Sequence, residues 1–207
     1  MGNKIFVTGI GTEIGKTFCS AIVCEALHAD YWKPLQAGEL DDLDSLWVRD
    51  FISNAESKFH TERFLLSEPM SPHAAAKLDD IEIELSDFKV PETSNDLIIE
   101  GAGGLMVPLN DKGDMIIDLI PLVADEVILV SMNYLGSINH TLMSVDILRQ
   151  RKIPIKGIIF NGDSNQDTED VILQYTGLQC LAKIPMADSD IKEFVKEQAA
   201  ILRPNLI

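Results

Sequence analysis

Short apolar runs alternate with stretches of helical periodicity along the whole chain. The runs fall near Ile5 to Thr8, Tyr31 to Pro34, Leu97 to Glu100, Val127 to Met132, Gly157 to Asn161 and Cys180 to Ile184, and each predicts a buried strand. After the first run, Cys19, Ile22, Val23, Ala26 and Leu27 recur at helical spacing. A second clear helix is predicted after Gly136-Ser137. Ile138, Leu142, Val145 and Leu148 share one side of it, Arg149, Arg151 and Lys152 lie near its end, where cations suit the helix dipole, and Pro154 marks its stop. Strand-helix alternation of this kind predicts βαβ units and an α/β fold, a parallel sheet with helices on both faces. No repeat, low-complexity tract or long linker divides the chain, so residues 1–207 are expected to form a single domain. The segment from Asp79 to Asn95, rich in acids and holding Pro91, reads as a peripheral excursion.

Ligands of such sheets sit beyond the carboxyl ends of the strands. The segments at those ends are Gly9 to Thr17, Gln36 to Gly38, Glu100 to Gly104, Asn133 to Asn139, Asn161 to Gly162 and Pro185 to Ala187. The first carries the sharpest chemistry. An apolar strand runs into a glycine-rich turn that ends in Gly15-Lys16-Thr17 and opens a helix. Backbone N–H groups of such a turn can ring a phosphate, Lys16 can reach the outer phosphates, and the Thr17 hydroxyl can hold Mg²⁺. Ile10 stands where the strict eight-residue phosphate loop needs its first glycine, so the fit is to a form one residue longer that starts at Gly9. The loop implies binding of a nucleoside triphosphate. Glu100, ending a strand and followed by glycines, is a candidate Mg²⁺ ligand, and such a cation takes one or two carboxylates with phosphate oxygens and water. Asp44 is the favoured second acid, although Asp41 and Asp42 would serve as well on chemistry alone.

Charge narrows the partners. With 33 acidic and 17 basic residues the formal net charge is −16, which repels nucleic acid and anionic membranes. An anionic ligand would then depend on the few lysines near the loop for a local positive field. No apolar window reaches the length of a membrane span, the first strand begins too early for a signal peptide, and Phe6 breaks a myristoylation signal at Gly2. A cytoplasmic location is expected. Cys19, Cys24 and Cys180 show no pairing or metal spacing and read as reduced and structural.

Five segments in order resemble dethiobiotin synthetases, ATP-dependent enzymes of biotin synthesis with a P-loop NTPase-like fold. They are the loop Thr8 to Thr17, Lys33 to Gly38, Ser71-Pro72-His73, Glu100 to Gly104 and Leu135 to His140. The resemblance implies ATP-dependent carboxylation and ring closure of 7,8-diaminononanoate with CO₂ (or bicarbonate as its source), through a carbamate and a carbamic-phosphoric anhydride. It marks Lys33, Lys16 and Thr12 as catalytic. Nucleotide would be bound by Glu13, Ile14, Gly15, Lys16, Thr17, Phe18, Asp44, Glu100, Gly101, Ala102, Gly103, Asn161, Pro185, Met186 and Ala187, with Mg²⁺ on Thr17, Asp44 and Glu100. Substrate would meet Lys33, Ala37, Ser71 and Pro72, and also Gly136, Ser137, Ile138 and Asn139, which the family supplies from the second subunit of a homodimer. Read on residues alone, Ser71-Pro72 could be a plain helix cap, and Gly136 to Asn139 could be either a carboxylate seat at a helix start or the cap of a core helix.

The chain departs from that family pattern at three places, one of them the nucleotide-side loop, which Pro185, Met186 and Ala187 match in place only. Ala37 replaces a hydroxyl residue that contacts substrate, leaving Gln36 or backbone to compensate, and Gly162 replaces the Asp that commonly follows the base-reading Asn161. The rival reading is a nucleotide-switch ATPase of the septum-positioning (MinD) or partitioning (ParA) type, which shares fold and loop. That group carries an extra lysine early in the loop, where this chain has Gly11, and often a basic amphipathic terminal helix, which Ile191 to Ile207 does not resemble.

Overall fold

The computed structural model describes residues 2–187 and 190–207. Seven parallel strands form the central sheet in the order β4-β2-β6-β1-β7-β8-β9. They are β1 (Lys4–Gly9), β2 (Asp30–Trp32), β4 (Phe59–His60), β6 (Leu97–Gly104), β7 (Glu126–Met132), β8 (Ile155–Asn161) and β9 (Cys180–Ile184). All six expected strands are present, and β4 is a short edge strand that the apolar pattern does not mark. β3 (Leu35–Ala37) and β5 (Phe64–Leu66) pair apart from the sheet as a two-stranded parallel ribbon.

The expected strand from Tyr31 to Pro34 is corrected here: β2 stops at Trp32. Pro34 has no N–H to extend a ladder. Its carbonyl instead accepts from the backbone N–H of Arg63 and Phe64, which turns the chain into the ribbon. Lys33 is thereby left at the carboxyl end of β2, with its side chain buried.

Side chains alternate cleanly across the sheet. Ile5, Val7, Ile98, Ile128 and Val130 pack on one face, beneath α1 (Lys16–Leu27), α2 (Asp44–Phe51) and α7 (Ile191–Leu202). Phe6, Leu97, Ile99 and Val127 face the other core with α3 (Pro72–Leu78), α4 (Ile116–Val123) and part of α5 (Ser137–Gln150). Leu129, Ile158 and Phe160 continue that face toward α6 (Gln166–Thr176), whose Ile172 joins Val145 of α5.

α1 is buried on almost every side, and even Ser20 has no exposure, so its apolar stripe is only part of its buried surface. Along α5 the buried line is Ser137, Thr141, Val145 and Leu148, while Ile138 and Leu142 are only half-buried. The Asp79 to Asn95 segment is not merely peripheral. Ile83 and Phe88 are buried in the second core, and the Phe88 ring meets Phe64 edge-on at 5.4 Å. Spacing in this segment is irregular, so no periodicity marks those anchors.

Candidate active site

The phosphate loop is shaped by backbone that only certain residues adopt. Gly15, the N-cap of α1, has φ +83°, and a Cβ there would lie 2.1 Å from Nδ2 of Asn161. That Asn161 nitrogen donates to the Ile14 carbonyl at 3.0 Å, tying the loop to the end of β8. Glu13 also holds a positive φ, +54°, inside the turn. α1 starts at Lys16, so the N–H groups of its first turn have no intrahelical acceptor and face the loop's concavity. The first-turn bond is Cys19 N–H to Gly15 O, 3.0 Å. The Nζ of Lys16 donates to the Gly11 carbonyl at 2.8 Å, folding the side chain over the loop.

Strand register assembles the remainder. Trp32 of β2 pairs with Ile99 of β6, so Lys33, just past the end of β2, comes beside Glu100; the expected strand end at Glu100 is corrected, because β6 runs on to Gly104. Glu100 is 1% exposed and accepts from three donors. Thr17 Oγ1 lies 2.8 Å from its Oε1, Lys33 Nζ lies 3.1 Å from the same oxygen, and the Tyr31 hydroxyl lies 2.8 Å from Oε2. Lys33 is also ion-paired with Asp44 at the start of α2. Asp41 and Asp42 are exposed, and neither lines the cavity described below.

Ionisation follows from these contacts. Burial alone would push the Glu100 carboxyl up, but the Lys33 charge and the hydrogen bonds from Thr17, Tyr31 and Lys33 hold it below the ordinary value. Burial lowers Lys16 to about 8, with Glu100 opposing and Lys33 adding to the fall. Burial and the Glu100 charge raise Tyr31 well above its ordinary value, so it remains a donor. Thr17, Asp44 and Glu100 thus gather hard oxygen atoms around an ammonium group, a donor set that fits a small divalent cation such as Mg²⁺.

A cavity of about 610 Å³ opens over this cluster. Thr12, Glu13, Gly15, Lys16, Thr17, Asp44, Glu100, Ala102 and Gly103 line it, and so do Lys33, Ala37, Ser71 and Pro72. Ser71 takes the N-cap position of α3 with Pro72 at N1, but its side chain makes no capping bond. Three of the remaining candidates shape the loop from behind. Ile14 is buried, Gly101 passes so close to Phe6 that a Cβ would meet its ring at 2.7 Å, and Phe18 lies against Phe194 and Trp47.

Two groups lie away from the cavity wall. Asn161, Pro185, Met186 and Ala187 stand at the ends of β8 and β9, where Gly162 N–H donates to the Ile184 carbonyl at 2.8 Å. Gly136, Ser137, Ile138 and Asn139 open α5, with Gly136 at φ +105°. Tyr31 escaped sequence reasoning as a functional residue, because nothing separates it from any other aromatic inside a buried strand.

The expected local positive field is corrected by the structure. Lys16 and Lys33 are the cavity's lysines, whereas Glu13, Glu39, Asp44 and Glu100 are carboxylates on the same wall. Side chains alone make this wall acidic. Attraction for a polyphosphate must come from oriented backbone N–H groups and an added cation.

A strand, glycine-rich turn and helix closing on Lys16 and Thr17, with a buried acid on the adjacent strand, define a P-loop nucleotide-binding protein. A family profile described as "AAA domain" matches residues 3–193. The chain is 50% identical over 206 residues to the ATP-dependent dethiobiotin synthetase of Christiangramia forsetii, covering 100% of this chain and 99% of the other. It is 48% identical to that of Cytophaga hutchinsonii, covering 98% of each. The chain belongs to the ATP-dependent dethiobiotin synthetase family.

Solved structures with the same fold include a putative plasmid partition protein of Borrelia burgdorferi bound to AMPPNP, with TM-score 0.60, 13% identity and coverage of 100% and 99%. Another is the septum site-determining protein MinD of Pyrococcus horikoshii complexed with Mg-ADP, with TM-score 0.57, 18% identity and coverage of 99% and 90%. At such identities the likeness is one of fold, and the switch-ATPase reading has no other support.

Proposed function

We propose that the chain makes dethiobiotin from 7,8-diaminononanoate, CO₂ and ATP. Family membership supports the overall reaction. The observation that carries the mechanism is that Lys33 lines the same cavity as the phosphate loop and Ser71-Pro72, with its Nζ 3.1 Å from Glu100. One amine adds to CO₂ and gives up a proton, leaving a carbamate anion. A carbamate oxygen then takes the γ-phosphoryl group from ATP, releasing ADP. The neighbouring amine attacks the carbamoyl carbon, the C–O bond to phosphate breaks, and inorganic phosphate leaves as the cyclic urea closes.

Each step brings anions together, so the barrier is chiefly electrostatic. Lys16 faces the outer phosphates and Lys33 faces the carbamate and the transferring group, while Thr12 lies on the cavity wall where its hydroxyl can meet the same oxygens. Mg²⁺ held through Thr17, Asp44 and Glu100 would supply the positive charge that the acidic wall lacks. Ile14, Gly101 and Phe18 hold the loop's shape for the phosphates, and Asn161, Pro185, Met186 and Ala187 form the side on which the base rests. A phosphate-release assay with all substrates, followed by mass detection of dethiobiotin, tests the reading; phosphate without dethiobiotin, or neither, would overturn it.

The substrate site is completed by a second copy of the chain. Gly136 to Asn139 do not line the cavity of their own subunit, yet they present a helix start suited to a carboxylate, with Leu135 fully exposed beside it. Sedimentation velocity is expected to give a dimer, and Leu135→Asp a monomer with impaired turnover. A persistently monomeric, active wild type would refute the shared site. A cytoplasmic location belongs to the same reading, and no helix among the described residues is long and apolar enough to cross a membrane.

A further inference from the structure

Gln36 carries one buried acceptor without a partner in the wall of the cavity. It lies in β3, is 4% exposed, and lines the cavity three residues beyond Lys33. Its Nε2 donates to the Gly38 carbonyl at 3.3 Å, whereas its Oε1 has no hydrogen-bond partner. The turn that presents the Gly38 carbonyl is fixed. Gly38 has φ +73°, its N–H donates to Leu66 O at 2.8 Å, and a Cβ there would press to 2.6 Å on Pro69. Turning the carboxamide over would set two carbonyl oxygens against each other, so Oε1 is the end left over.

A buried acceptor without a donor is costly, and a ligand that brings the donor recovers that cost on binding. Leu35, Ala37, Pro69, Met70 and Pro72 line the same cavity as Gln36, together with Ser71 and the exposed Glu39. The Lys33 ammonium is engaged by Glu100 and Asp44. We infer that Gln36 Oε1 accepts a hydrogen bond from the substrate amine that is not carboxylated, and so positions the nucleophile of the ring closure. The inference rests on the reaction proposed above. Charge sorts the two nitrogens: a carbamate anion suits Lys33 and would be repelled by a carbonyl oxygen, whereas a free amine has N–H groups to give and suits Gln36. With both held, the free amine's lone pair is directed at the neighbouring carbamoyl carbon.

Calorimetry in the presence of Mg²⁺ and AMPPNP tests the assignment on the whole protein. The ligands are 7,8-diaminononanoate and its two mono-amine analogues, 7-aminononanoate and 8-aminononanoate. Gln36→Met, close in volume but without the acceptor, is expected to weaken the diamine by about tenfold. The analogue that lacks the Gln36-facing amine should lose no more than about twofold, because its missing group made that bond. AMPPNP affinity should stay at the wild-type value. Unchanged diamine affinity, or an equal loss for all three ligands, overturns the role of Gln36. Should the Met variant misfold, wild-type protein still decides: the analogue that lacks the Gln36-facing amine should bind about tenfold more weakly than the diamine, and two analogues that both bind within about twofold of it overturn the inference. Wild-type protein that binds no diamine overturns the proposed reaction itself, an outcome distinct from wild-type binding with an indifferent Gln36.

Discussion

The Nζ of Lys33 lies 3.1 Å from Oε1 of Glu100, and the same ammonium is paired with Asp44. The oxygens that suit a divalent cation are therefore the oxygens that hold the lysine, and the two positive groups compete for them. Binding of Mg²⁺ with nucleotide would release Lys33 toward the substrate, coupling its availability to the presence of ATP.

Lys33→Ala should separate these roles. Loss of the ammonium removes a competitor for Glu100 and Asp44, so Mg²⁺-dependent nucleotide affinity is expected to hold or rise. Turnover should fall by about 10³-fold, as when a preorganised charge facing the transferred group is removed. Calorimetry with AMPPNP and single-turnover kinetics measure the two; wild-type rates would refute the catalytic role.

Lys16 gives nucleotide binding a pH dependence. Its pKa, lowered by burial to about 8, means that the folded chain has released a proton which the unfolded chain still holds up to about pH 10.5. Stability therefore gains from this group as pH rises through that window, and carries the full cost of the buried charge below pH 8. Phosphates act the other way, since they favour the ammonium. Affinity should fall above pH 8 by up to about tenfold per unit, with proton uptake on binding. Titrations at pH 9 in two buffers of different ionisation enthalpy check this, and no uptake would count against it.

Tyr31→Phe removes one donor from a fully buried carboxylate. Hydrogen bonds to charged groups contribute about 1.5–3 kcal/mol, so the melting temperature should drop by roughly 5 °C in a domain of this size. Mg²⁺ present with nucleotide should offset part of the loss, because it compensates the same charge. A variant as stable as wild type under both conditions would show that the Tyr31–Glu100 bond contributes little.

Base selectivity is expected to be weak. Asn161 donates its amide N–H to the Ile14 carbonyl, and Gly162 offers no side chain to the base. Dissociation constants for ATP, GTP and CTP should lie within about tenfold of one another, less than a complete set of base contacts would give. A preference for ATP above a hundredfold, measured by calorimetry, would contradict this.

Much of the fold was legible because buried parallel strands write continuous apolar runs, as at Ile5 to Val7 and Val127 to Val130. The phosphate loop was legible because glycine, lysine and threonine at fixed spacing have few other uses. The β3–β5 ribbon was not, since three-residue strands such as Leu35–Ala37 leave no period to read and their pairing depends on Pro34 turning the chain. Glu100 could be named as a ligand because an acid closes an apolar run and glycines follow it, although β6 in fact runs on to Gly104, but the choice of Asp44 over Asp41 and Asp42 waits on where α2 begins. The acidic balance of the cavity wall was hidden for a similar reason. Glu13 and Glu39, far apart in the chain, both hold positive φ and both come to that wall.

Sheet order also has a consequence for biosynthesis. β1 carries the phosphate loop, lies in the middle of the sheet, and pairs on either side with β6 and β7, which end at Gly104 and Met132. At about 5–20 residues per second, a ribosome delivers those neighbours on the order of ten seconds after it has made β1. For that interval Ile5, Phe6 and Val7 emerge as an apolar segment with no strand beside it, a period in which the nascent chain would benefit from a chaperone. β1 waits longer for its neighbours than any later strand of the sheet waits for its own.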